Sequence, residues 1–204
     1  MLERLQRVKR SDWAAVCGLS LLLVGLYFGG APVLDALAYE RVGVLEGQWW
    51  RLLGGHLVHA DAAHLAWNLL GLWLVAVLFV PEFTLREWLL IVVASTAAID
   101  VGFLWLQPDL IWYVGFSGVL HGGMAAGLLA WLRQTPRDPL TLALAALFAG
   151  KLLYEQLVGP LPFTAATLSV PVLHEAHSYG AAGGVAAAAG LVLRRRGGGA
   201  RTPI

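Results

Sequence analysis

The stretch GFSGVLHGGMAAG, residues 115–127, sets one serine and one histidine in an apolar run punctuated by glycines. A second stretch, HEAHSYGAAGG at 174–184, places glycines three and seven residues after His177. Glycine recurring every four residues strips a helix face down to backbone, so two such helices can approach closely inside a membrane. A serine and a histidine are costly to bury at that depth and are useful mainly together, as nucleophile and base. The two stretches therefore predict a pair of close-packed membrane helices carrying a Ser117–His177 dyad.

The rest of the chain agrees with a membrane setting. Of its 204 residues, 58% are hydrophobic and 13% charged, against about 25% charged in a soluble domain. Six apolar stretches approach the roughly 20 residues that span a bilayer, at about 12–30, 62–80, 86–106, 115–132, 139–157 and 174–193. Basic residues before the first also suit a signal peptide, but five further spans favour a first spanning helix. The expectation is an all-α, six-helix polytopic bundle, a single domain over 1–204 with short tails at about 1–11 and 194–204. A net charge of +1 leaves no polybasic surface and no reason to propose nucleic-acid binding. The single cysteine, Cys17, excludes an intrachain disulfide. Nothing matches a phosphate-binding loop or dinucleotide fingerprint, so no cofactor is implied.

Charge sets the expected orientation. With alternating helices, Arg4, Arg7, Lys9, Arg10, Arg86, Arg133, Arg137, Arg194, Arg195, Arg196 and Arg201 share one side, eleven of 14 basic residues. By the positive-inside rule that side is cytoplasmic and holds both termini. Ser117 and His177 then enter from the outer side at a common depth. The outer segment at about 31–61 is too apolar for a solvated linker, and Trp49 and Trp50 suit an element lying at the membrane interface.

Further polar residues cluster in the outer half. His56, His59, His64 and Asn68 mark the beginning of the second span, and His64 and Asn68, four apart, share a helix face. They serve either as hydrogen-bonding glue between helices or as neutral donors to an oxyanion beside the serine. His121, four residues after Ser117, can contact the base, satisfy a neighbouring helix or line the substrate cavity, and of these cavity lining is expected. His174 reads as a wetted end residue, and Glu175 points away from His177. Asp100, Lys151 and Glu155 are the remaining buried charges, the last two spaced to form a structural ion pair. The His174–His177 separation of three does not fit the zinc-protease helix, which needs four, so no metal is expected.

Together these motifs resemble the rhomboid intramembrane serine proteases in their minimal six-helix form. The resemblance rests on Gly115–Gly118 as Gly-x-Ser-Gly, on His177 with Gly180 and Gly184, and on His64 and Asn68 with His59 five residues before His64. A Trp-Arg pair, Trp50 and Arg51, stands in the first outer loop. It implies a Ser117–His177 dyad, oxyanion donation by Asn68, His64 and the Ser117 N–H, and a substrate cavity bordered by His121, Gly115 and Gly118. Histidine at 121, where well-known bacterial rhomboids often have tyrosine, is similar to the rhombosortase subfamily. That subfamily implies cleavage of C-terminal Gly-Gly sorting signals on exported, membrane-anchored proteins, at the outer face of a bacterial inner membrane. A general rhomboid of broader specificity and a non-catalytic client binder are the alternatives. A transporter is disfavoured because no duplicated half or broken-helix pair is visible.

Overall fold

The computed structural model of the protein describes residues 9–162 and 166–198. Its long helices are α1 (Arg10–Phe28), α5 (Ala62–Phe79, continued by a 3-10 turn at Val80–Glu82), α6 (Leu85–Trp105), α7 (Ser117–Gln134), α8 (Pro139–Leu157) and α9 (Glu175–Gly198). Each of the six expected stretches is a helix, with ends shifted by a few residues. Helix starts follow local chemistry. Asp61 caps α5 by accepting from the His64 N–H, Thr84 and Glu87 form a reciprocal capping box on α6, and Asp138 caps α8 with Pro139 behind it. At the end of α1 the chain turns through Gly30, whose φ of +67° is left-handed.

Five of the six helices are long and apolar enough to cross a membrane. The exception is α7, which carries Ser117, His121 and four glycines in 18 residues. Its position explains the difference. Eleven of those residues are buried, because α7 is the central helix and packs against α5, α6, α8 and α9. Protein rather than lipid covers it, so its sequence needs little hydrophobicity. By contrast α1 and α8 lie at the rim, where Leu21 and Leu147 are more than two-thirds exposed and are suited to contact acyl chains.

Between α1 and α5 the chain folds as α2 (Gly30–Leu37), β1 (Tyr39–Glu40), α3 (Arg41–Leu45) and α4 (Trp50–Leu57). The expected interfacial element is thus α4, with Trp49 and Trp50 exposed at its start. This segment is fastened to the bundle at two places and braced within itself at a third. Strand β1 pairs antiparallel with β2 (Trp112–Tyr113), in the lead-in to α7. Arg41 donates to the Phe103, Leu104 and Gln107 carbonyls at 3.0–3.3 Å, satisfying the end of α6 where its dipole is negative. Arg51 donates to the Asp35 and Ala38 carbonyls at 2.7 and 2.8 Å and to Gln48 Oε1 at 2.6 Å, tying the segment to itself. Residues 1–8 and 199–204, with most of the expected tails, lie outside the described residues.

Candidate active site

Ser117 is the first residue of α7 and His177 the third of α9. Glycine brings the two helices together. A Cβ on Gly180 would fall on the Gly118 carbonyl, and one on Gly184 would fall on the Gly122 carbonyl. The two helices therefore run parallel in four-residue register, backbone against backbone. Helix α6 packs alongside in the opposite sense, with Ile99 at Gly118 and Ser95 at Gly122. At the top of this contact His177 Nε2 stands 3.0 Å from Ser117 Oγ, within hydrogen-bond reach for a nucleophile and its base.

The strand leading into α7 is rigidly held. Gly115 N–H donates to the Gly55 carbonyl at 2.8 Å, and the Tyr113 hydroxyl donates to the Gly115 carbonyl at 2.7 Å. Gly115 has φ +118°, and a side chain there would strike the His64 imidazole. As the helix's first residue, Ser117 carries a backbone N–H with no intrahelical acceptor.

A cavity of about 510 Å³ opens over the pair, lined by Ser117, His177, His64, Asn68, His121, Lys151, Glu155 and largely apolar walls. Asn68 Nδ2 gives one hydrogen to the His64 carbonyl at 2.8 Å, leaving its second, and His64 Nδ1 is buried without a hydrogen-bond partner among the described residues. Gly115 and Gly118, expected at the cavity, are not on its wall. Gly115 gives clearance to His64, and Gly118 gives clearance to α9 and Ile99. Part of the far wall is the segment before α9, through Leu168 and Leu173. Asp61 anchors that segment by accepting from Ser169 N and Oγ, at 2.8 and 2.5 Å. Burial raises the Asp61 carboxyl, but the Ser169 and His64 donors outweigh it and hold it below the usual carboxylate range.

Two of the four residues read as opening the second span lie before it. His56 is on α4 and contacts Asp100 of α6 at 3.2 Å, giving that half-buried aspartate a partner. His59 sits in the turn before α5, edge-to-face on His64, and burial pushes its pKa down to about 3, so it is neutral. His174 and Glu175 face each other at 3.7 Å near the surface, away from the dyad.

Lys151 and Glu155 form the expected i,i+4 pair, at 2.6 Å. They do more than pair with each other. Glu155 Oε2 also lies 2.9 Å from His177 Nδ1, and Lys151 Nζ lies 3.1 Å from that nitrogen and 2.5 Å from His121 Nε2. His121 Nδ1 reaches the Ser117 carbonyl at 2.7 Å, and its ring stacks on His177 with centroids 4.0 Å apart. His121, Glu155 and His177 thus bring metal-ligand atoms within 4.8 Å of one another. The Lys151 ammonium occupies the midst of the same atoms, so the chain supplies its own cation there. The four-residue offset of Lys151 and Glu155 announced their mutual pairing. It carried no sign of which neighbour their helix face meets, which only packing sets.

The Rhomboid domain family matches residues 46–194. The putative rhomboid protease YdcA of Bacillus subtilis is 30% identical over 88 residues, which cover 43% of this chain and 44% of that protein. Rhomboid protease GluP of the same organism is 30% identical over 102 residues, 48% of this chain and 20% of GluP. The chain thus spans less than half the length of either relative. The family match covers both the serine and the histidine helices, and with the apolar helices it makes the protein a multi-pass membrane protein. The chain belongs to the rhomboid family.

Proposed function

We propose that the protein is an intramembrane serine endopeptidase using a Ser117–His177 dyad. The observation that carries this reading is the 3.0 Å contact between Ser117 Oγ and His177 Nε2 at the edge of the cavity. In the reaction, Ser117 Oγ attacks the scissile carbonyl as its proton passes to His177 Nε2. The carbonyl oxygen becomes an oxyanion, met by the spare Asn68 amide hydrogen, His64 and the Ser117 N–H. Collapse breaks the C–N bond, and His177 returns the proton to the leaving amine. Water then enters by the same base to release the acyl group. Neutral donors suit the oxyanion role, since a cation buried there would need a counter-ion at all times.

Substrates are membrane-anchored proteins whose spans enter from the lipid. The preferred class is the exported protein with a C-terminal Gly-Gly signal, cut at the outer face of a bacterial inner membrane with both termini of the protease cytoplasmic. The orientation is supported by Arg86, Arg133 and Arg137, which lie at helix ends opposite the dyad, as the antiparallel packing of α6 on α7 requires. The glycine preference is supported by His121, a ring on the cavity wall stacked beside the base.

Labelling of Ser117 by a fluorophosphonate probe in detergent tests the mechanism, with His177→Ala as the control. Labelling lost in that variant is the expected result. A wild-type protein that never labels, or a His177→Ala protein that labels at the wild-type rate, sinks the reading.

A further inference from the structure

Resting on that dyad reading, we infer that Glu155 is its third member, orienting His177 as base, with Lys151 as the counter-ion that keeps Glu155 ionised inside the protein. With His177 Nε2 taken as the base, the hydrogen-bond partners give one assignment of protons, in which the 3.1 Å approach of Lys151 Nζ to His177 Nδ1 is a charge contact and not a hydrogen bond. The Ser117 carbonyl can only accept, so His121 Nδ1 carries the hydrogen and His121 Nε2 accepts from Lys151. Lys151 also donates to Glu155 Oε2. His177 Nε2 must be bare to take the serine proton, so Nδ1 carries the hydrogen and donates to Glu155 Oε2. A carboxylate at that nitrogen fixes the productive tautomer and ring orientation, and it stabilises the imidazolium that forms once Nε2 is protonated.

The surroundings fit the assignment. Glu155 is 2% exposed, and an ion so buried is costly unless paired. Lys151 supplies the pairing charge from the same helix, and His121 holds Lys151 through its Nε2. The charged and titratable groups facing His177 are therefore Glu155 and Lys151 of α8 and His121 of α7, with His64 of α5 and His174 farther away. Stacking by His121 closes off the imidazole's face. A pair needed only to hold helices together would have no reason to aim its carboxylate at the nitrogen opposite the nucleophile.

The test follows fluorophosphonate labelling of the full-length protein in detergent, separating kinact from KI by varying the probe concentration. Ser117→Ala sets the background. Glu155→Gln keeps the shape but lets an amide hydrogen face Nδ1, which favours the wrong tautomer. Its kinact is expected to fall roughly 10²- to 10⁴-fold with KI within about twofold and an unchanged melting temperature. Glu155→Asp, which keeps the carboxylate, should recover about tenfold of that loss. The double variant Lys151→Met/Glu155→Met removes both charges, so a purely structural pair would be replaced at little cost; here it should fold yet stay as slow as Glu155→Gln. Wild-type kinact in Glu155→Gln, or in the folded double variant, overturns the third-member role while leaving the dyad intact. A wild-type protein unlabelled at Ser117 overturns both.

Discussion

Gly180 of α9 lies against the carbonyl of Gly118 on α7, with no room for even a methyl group between them. This contact fixes the separation of the two helices next to Ser117 and one turn from His177. Gly180→Ala is expected to force the backbones apart, at a cost of about 1–3 kcal/mol typical of overpacking. Because hydrogen-bond geometry tolerates only roughly 2.6–3.2 Å, labelling of Ser117 should fall before the fold is lost. Gly190→Ala on the same helix, where a Cβ meets nothing within 4 Å, should be neutral in both. Melting temperature and fluorophosphonate labelling of the two variants check the pair.

Ser117→Ala and His177→Ala are each expected to abolish cleavage of a membrane-anchored reporter while leaving the protein folded and inserted. Nucleophile and base act as a unit, so the loss of either removes nearly the whole covalent pathway. Turnover near wild type in Ser117→Ala would refute the mechanism.

Asn68→Ala should reduce turnover by about 10²–10³, the usual cost of one oxyanion donor. His64 and the Ser117 N–H remain in place, so the loss is partial. An unchanged rate would move the oxyanion role to other donors.

His121→Ala should widen the cavity beside the base and relax selectivity. Reporters with Gly-Gly and with bulkier residues before a common span, in competition, give the ratio directly. The rate should fall as well, since the ring that stacks on His177 and holds Lys151 is gone. An unchanged ratio in an active variant removes the specificity role.

Asp61→Ala removes both the cap of α5 and the tie to Ser169. A lost cap costs about 1 kcal/mol, and the segment carrying Leu168 and Leu173 should come away from the cavity. Faster protease nicking within 166–173, with α5 otherwise intact, is the expected observation. Wild-type resistance would mean that other contacts hold this wall.

Hydrophobicity and residue spacing carry short-range information, and by themselves they determined the six helices, the meeting of Ser117 with His177, and the glycine faces that let them meet. A run of apolar residues must form a helix in lipid, because the backbone has no other partner there. Glycine at four-residue steps marks a surface meant for another backbone. Tertiary structure alone decided where side chains of other helices end up relative to that pair. It set α7, the one long helix not apolar enough to cross a membrane by composition, at the centre, moved His56 to Asp100, and took Gly115 and Gly118 off the cavity wall. It also turned an ordinary i,i+4 pair, Lys151 and Glu155, onto the far nitrogen of His177. Those outcomes depend on the rotation of each helix about its axis. Contacts between residues distant in the chain fix that rotation, and no local pattern records it.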